Sequence, residues 1–164
     1  MKFKKFYKLY LESIEDEILS QKGEYHLSSG NDNRFFGNAG AGILVYCVKT
    51  KRFLLGFRSK LVNEPNTWGT FGGKIDNDAD PKAAARRELK EETGYNGNID
   101  IQLFDVFQSG NFKFYNFLGK VEEEFEPILD WENDSAEWFS LDSMSKLNLH
   151  FGTKRLLEKL SKVI

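Results

Sequence analysis

The sequence predicts an α/β domain: a mixed β-sheet covered by helices, preceded by a helical extension. Three observations carry this reading. Two pairs of apolar segments are each joined by a short turn, at Thr50-Lys51 and at Ser109-Gly110-Asn111. Between the pairs lies a well-punctuated helix, opened by Asp80-Pro81 and closed by Gly94. A second helical period, in Leu156, Leu157, Leu160 and Val163, follows a short strand-like stretch at Glu137–Ser140. Strands interspersed with helices build a sheet with helical layers.

The totals bound the class. The chain has 164 residues, 23 Lys and Arg against 25 Asp and Glu, and one Cys. This length suits one domain with a short extension and buries enough surface to fold without a staple. A lone Cys47 makes neither an internal disulfide nor a thiolate zinc site, and points to a reducing compartment. A net charge of -2 argues against a bulk polyanion binder. Apolar runs such as Ala41–Val48 are far shorter than the roughly 20 residues of a membrane span. The lysines at 2, 4, 5 and 8 alternate with aromatics, unlike a signal peptide, so a cytoplasmic protein is expected and a membrane is not.

Taken in order, residues 3–19 carry Phe3, Phe6, Tyr7, Tyr10, Leu11, Ile14 and Ile18 at helical spacing. This helix packs on the domain or on a second subunit, giving a homodimer; a lipid-surface role fits less well, because its second half is acidic. Residues 20–38 centre on Ser28-Ser29-Gly30-Asn31-Asp32-Asn33, a loop, so residues 1–37 form the extension and 38–164 the domain. Ala41–Val48 and Phe53–Phe57 read as the first hairpin, with Cys47 a core residue, and Ser59–Thr67 as a loop. In the helix that follows, Asp80 is a good N-cap, Pro81 suits the first position, and Gly94 suits the left-handed residue past the end. Ile99–Gln108 and Phe112–Val121 read as the second hairpin. Thr153 is the expected cap of the last helix, through Val163.

The chemistry concentrates at Arg86-Arg87-Glu88-Leu89-Lys90-Glu91-Glu92-Thr93-Gly94. Glu88, Glu91 and Glu92 stand at i, i+3 and i+4, so their carboxylates share a helical face and repel. A hard divalent cation would offset that repulsion; so would a solvated face salted by Arg86, Arg87 and Lys90. The preceding Trp68-Gly69-Thr70-Phe71-Gly72-Gly73-Lys74-Ile75 favours the cation, because adjacent glycines let a backbone carbonyl approach closely.

On these residues the sequence resembles the Nudix hydrolase family. Gly73 starts the family box, and Arg87, Glu88, Leu89, Glu91, Glu92, Gly94 and Tyr95 fall on its register. One position departs: Ala79 stands where the family has its first box glutamate, between Asp78 and Asp80. The resemblance assigns that glutamate to organising the loop and helix; Asp80 as a cap, and Asp78, are the residues at hand for that service.

The resemblance implies an α/β/α sandwich that hydrolyses a diphosphate linkage in a nucleoside diphosphate derivative, with Mg²⁺ or Mn²⁺. It implies that Glu88, Glu91 and Glu92 hold metal with the Gly72 carbonyl, and that Arg87 orients the carboxylates. Arg58 resembles a phosphate-contacting arginine, though a surface salt bridge fits it equally. Glu132 resembles the downstream glutamate that acts as base or further metal ligand; a solvated loop acid fits it too, and Glu122-Glu123-Glu124 competes for the role. Trp68, Phe112 and His150 are candidate substrate contacts, with Asn148 beside the last of these; most aromatics of the second hairpin are expected in the core. The motifs of the ADP-ribose and NADH types are missing, which leaves a nucleoside triphosphate or a nucleotide-sugar-like molecule. The alternatives are a catalytically weakened nucleotide-binding module, motivated by Ala79, and hydrolysis at an RNA 5′ end or cap, the one nucleic-acid role left open.

Overall fold

The computed structural model describes residues 39–78 and 80–163. The helix expected over residues 3–19 and the boundary at 37/38 lie outside them. The elements are β1 (Ala39–Cys47), β2 (Arg52–Arg58), β3 (Trp68–Gly69), β4 (Phe71–Lys74), α1 (Pro81–Thr93), β5 (Asp100–Ser109), β6 (Phe112–Val121), β7 (Asn133–Phe139), α2 (Leu141–Met144) and α3 (Phe151–Leu160). The strands form one mixed 7-stranded sheet with β1 at its centre.

β1 runs parallel to β6, from Ala39 opposite Lys113 to Cys47 opposite Val121. Its other edge is shared. Gly40–Ile43 pair antiparallel with β4, and Val45–Cys47 with β2. Alternation along β1 then sorts side chains into two layers. Ala41, Ile43, Val45 and Cys47 pack with Ala84, Ala85 and Leu89 of α1, while Leu44 packs with Met144 of α2 and Leu156 and Leu160 of α3. Helices thus cover both faces, which is the expected α/β/α sandwich. Each fully buried Leu, Ile or Phe contributes about 1.5–3 kcal/mol by leaving water. Among the described residues no helix is long and apolar enough to cross a membrane.

Helix α1 has the ends its sequence announced. Asp80 Oδ1 accepts from Ala83 N at 2.7 Å, and Gly94, at φ 69°, donates its N–H to Lys90 O at 2.8 Å. Both hairpins also form as expected.

Four features differ from the sequence reading. β3 and β4 lie where Trp68–Ile75 shows no strand pattern. Glycine is a poor strand former, but here it lets two backbones close: a Cβ on Gly72 would lie 2.4 Å from Gly42 Cα. β7 starts at Asn133, earlier than Glu137, because antiparallel pairing with β2 holds its polar residues extended. α2 has no sequence signal, since one turn is too short for a hydrophobic period. α3 begins at Phe151 and ends at Leu160, and His150 rather than Thr153 is its cap, with Nδ1 accepting from Gly152 N at 3.2 Å. The Thr153 hydroxyl instead accepts from Thr70 N at 3.2 Å and ties the helix to the sheet.

Candidate active site

A cavity of about 590 Å³ opens where β1 begins and β4 ends. Its wall includes Gly72 and Gly73 of β4, Glu88 of α1, Phe112, Phe114 and Asn116 of β6, Arg58, Glu132 and the start of α3.

The three helix glutamates differ in environment. Glu88 and Glu92 face inward, 8% and 4% exposed, whereas the Glu91 side chain is 56% exposed. The Glu92 carboxylate is held from two sides: Gly72 N donates to Oε1 at 2.6 Å and Asn133 Nδ2 to Oε2 at 2.8 Å. Burial nevertheless pushes its pKa well above the usual carboxylate range, and the nearby charges of Glu132 and Glu88 push the same way. Burial also raises Glu88, against the pull of Arg87 and with the push of Glu91 and Glu132. Glu132 is raised by burial and by Asp130.

Arg87 organises this group. Its Nη1 donates to Glu88 Oε1 at 2.8 Å and to Glu91 Oε2 at 2.9 Å, and its Nη2 to Lys74 O at 2.9 Å. On the other side it meets Asp78 in a two-point pair: Nε to Oδ1 at 2.9 Å and Nη2 to Oδ2 at 3.0 Å. Hydrogen bonds from Arg87 hold the Asp78 carboxyl below the usual carboxylate range, and those to Asp78 raise Arg87 further. The two aspartates flanking Ala79 therefore divide the work: Asp80 caps the helix and Asp78 anchors the arginine.

The donor chemistry fits a hard cation: the side chains around Gly72 offer carboxylate oxygens, and the charges of Glu132 and Glu88 bear on the buried Glu92. Among the described residues, however, no three acidic, thiol or imidazole side chains are gathered as a cage for one ion. The carboxylates are held by Arg87, Gly72 and Asn133 instead.

The fold brings most of the sequence candidates together. Gly72, Glu88, Glu132, Arg58, Phe112 and His150 all line the cavity. Arg58 donates to Asn63 O through Nε at 2.9 Å and Nη2 at 2.6 Å, so it also fastens the rim loop. Trp68 is placed elsewhere: its ring packs on Phe57 at 5.1 Å and edge-on against Phe139 at 4.8 Å, within the α3-side core. Asn148 donates to Asn66 O at 3.2 Å. Glu123 and Glu124 pair with Lys49 and Arg52, beyond the opposite end of β1 from the cavity.

Two polar residues escaped the sequence reading. Asn133 supports Glu92, and its signal was its place beside Glu132. Asn116 is buried in the cavity wall; its signal was a single amide inside the aromatic run Phe112–Phe117.

Known proteins resemble this chain along most of its described length. A family model, the NUDIX domain, matches residues 38–160. The chain is 36% identical over 64 residues to the CMP-5'-(N-acetyl-N-hydroxy-3-aminopropyl)phosphonate hydrolase of Streptomyces rubellomurinus, over 39% of this chain and 31% of that one. It is 32% identical over 111 residues to the oxidized purine nucleoside triphosphate hydrolase of Danio rerio, over 62% of this chain and 66% of that one. The matched region thus spans 31% and 66% of these two relatives' lengths. The crystal structure of a Nudix hydrolase from M. smegmatis, RenU, superposes with a TM-score of 0.68 at 22% identity, covering 86% of this chain and 94% of that one.

Proposed function

This chain belongs to the Nudix family, and on that premise we propose that it hydrolyses a phosphoric anhydride linkage in a nucleoside triphosphate or a nucleotide-sugar-like molecule, using Mg²⁺ or Mn²⁺. The observation that carries the reading is one cavity walled by carboxylates (Glu88, Glu132), by cations (Arg58, Lys74) and by aromatic rings. Two relatives named for nucleotide substrates support the nucleotide class.

Glu88, Glu91 and Glu92, with the Gly72 carbonyl, are the oxygen donors that would hold the cation. When bound, it neutralises the anhydride phosphates, acidifies the attacking water and stabilises the leaving oxygen. The chain's own residues set the rest. Gly72 N–H and Asn133 fix Glu92, and Arg87 fixes Glu88. Glu132, half-buried and raised by burial, is suited to take a proton at its carboxylate. Arg58 brings a fixed positive charge to the wall, suited to a phosphate oxygen. The rival reading, a weakened binding module, is motivated by Ala79; the Asp78–Arg87 pair supplies the anchor that this departure puts in question.

The test is a panel of nucleoside triphosphates, nucleotide sugars, dinucleotides and capped RNA, with Mg²⁺ or Mn²⁺ and in ¹⁸O-water. Products read by ³¹P NMR and mass spectrometry locate the attacked phosphorus. Hydrolysis of a nucleotide in the presence of metal is expected. Absence of metal-dependent hydrolysis across the panel overturns the proposal.

A further inference from the structure

The cavity extends away from the carboxylates toward α3, and its floor there has an unusual composition. Asn116 is 6% exposed, lines the cavity, and makes no side-chain hydrogen bond among the described residues. Its carboxamide atoms are not sealed in the core; they open onto the cavity, where a ligand can pair with them. On β6 it lies opposite Gly42 of β1 and Asp105 of β5. On the Asp105 side the carboxylate is already taken, by Arg155 through Nε at 3.0 Å and Nη2 at 3.1 Å, and by Lys159. On the Gly42 side no side chain exists to answer it.

The surfaces around Asn116 are flat and fixed. The Phe114 ring lies against the glycines of β1, where a Cβ would come within 2.6 Å of it at Gly40 and 2.9 Å at Gly42. Phe107 and Phe151 meet edge-on at 5.6 Å. The Arg155 guanidinium sits 5.3 Å from the Phe107 ring centre, locked by Asp105. Planar, pre-positioned groups of this kind favour a planar, polarisable ligand.

We propose that Asn116 is the specificity-determining residue for the substrate's heterocyclic base. The base enters between these aromatic surfaces, and its edge offers a donor beside an acceptor to the Asn116 carboxamide. A carboxamide carries both functions side by side, so it pairs with such an edge through two hydrogen bonds. This inference rests on the nucleotide-hydrolase reading, and it places base discrimination at one strand residue outside the Nudix box.

The experiment compares the parent, N116A and the near-isosteric N116D, which keeps the shape but offers acceptors only. Steady-state kinetics on ATP, GTP, CTP and UTP with Mg²⁺ give kcat/KM for each base. Calorimetric titration with the four nucleoside monophosphates reads the same preference without turnover. The parent is expected to prefer one base by at least about tenfold, the scale of a two-point amide contact. In N116A and N116D that preference should collapse toward unity in both kinetics and binding, through loss on the preferred base. Thermal melts confirm that the variants are folded; where one is not, the other decides. A parent without base preference, or a folded variant with an unchanged preference, overturns the proposal. So does an equal loss on all four bases, which marks a structural role. If no nucleotide is hydrolysed but the monophosphates bind with an Asn116-dependent preference, the hydrolase reading fails and this assignment stands.

Discussion

Replacing Asp78 tests how the chain manages without a glutamate at position 79. D78A removes both hydrogen bonds to Arg87, at 2.9 and 3.0 Å. The Asp78 side chain is 10% exposed and that of Arg87 31%, so the pair is sheltered without being fully buried. Hydrogen bonds between charged groups reach about 1.5–3 kcal/mol, and exposed pairs less than about 1. Arg87 keeps its contacts to Lys74, Glu88 and Glu91, which limits the loss. About 2 kcal/mol is expected, which for a chain of this size lowers Tm by about 4–8 °C. Turnover should fall about tenfold or more, because Glu88 loses the fixed position of its partner. Adding A79E to D78A restores a carboxylate at the family position and should recover most of both losses. The pH dependence has a definite sign. The folded-state pKa of Asp78 lies below its unfolded value, so its stabilisation is complete above the unfolded value and vanishes as pH falls through the folded one. The stability gap between parent and D78N should therefore close in acid. Urea titrations from neutral to acid pH, with initial rates at neutral pH, make the measurement. A D78A variant that melts within about 1 °C of the parent and keeps its turnover would refute the reasoning.

Three further outcomes are expected. E92Q should lower kcat by about a hundredfold or more while leaving the circular dichroism spectrum and thermal midpoint close to the parent's, because burial of a neutral amide offsets the lost acceptor; turnover near that of the parent would sink the assigned site. The adjacent glycines Gly72 and Gly73 should separate in effect. In G72A the new Cβ meets backbone, 2.5 Å from Ala41 O, so β1 and β4 must part at a cost of about 3 kcal/mol or more by denaturant titration. In G73A it meets the Glu88 carboxylate at 2.7 Å, a movable group, so stability should hold while turnover drops. D105A should destabilise by about 1–3 kcal/mol, since the Asp105 side chain is 2% exposed while Arg155 and Lys159, at 38% and 37%, keep their water once it is gone; equal urea midpoints would refute that.

The legible parts of the fold share a physical cause: local signals that act over a few residues. The cap at Asp80, the stop at Gly94 and both hairpin turns are such signals, and they appear where the sequence placed them. The carboxylate trio was legible because helical spacing is fixed, but its inequality was not. The setting of Glu92 depends on Gly72, 20 residues before it, and on Asn133, 41 residues after it. β4 itself was invisible, since its pairing depends on glycine meeting glycine across two strands rather than on side-chain alternation. Trp68 looked like a pocket wall and His150 like a contact; only packing against Phe139 separates the one from the other. Asn116 could be seen as an odd residue in an aromatic strand, but its lack of a partner is a property of three dimensions.

The parallel ladder between β1 and β6 has a consequence for how the molecule is made. The two hairpins close over short loops, whereas Ala39 must find Lys113 and Cys47 must find Val121 across the intervening chain. Non-local parallel pairing is slow, because loop-closure entropy is lost before contacts reward it. β4, tied to β1, carries the glycine that holds Glu92, while β6 carries the opposite wall of the cavity. The ladder must therefore close before the cavity exists. Recovery of activity in refolding should trail the formation of the hairpins, and a chain stalled short of this step would hold most of its secondary structure with no working site.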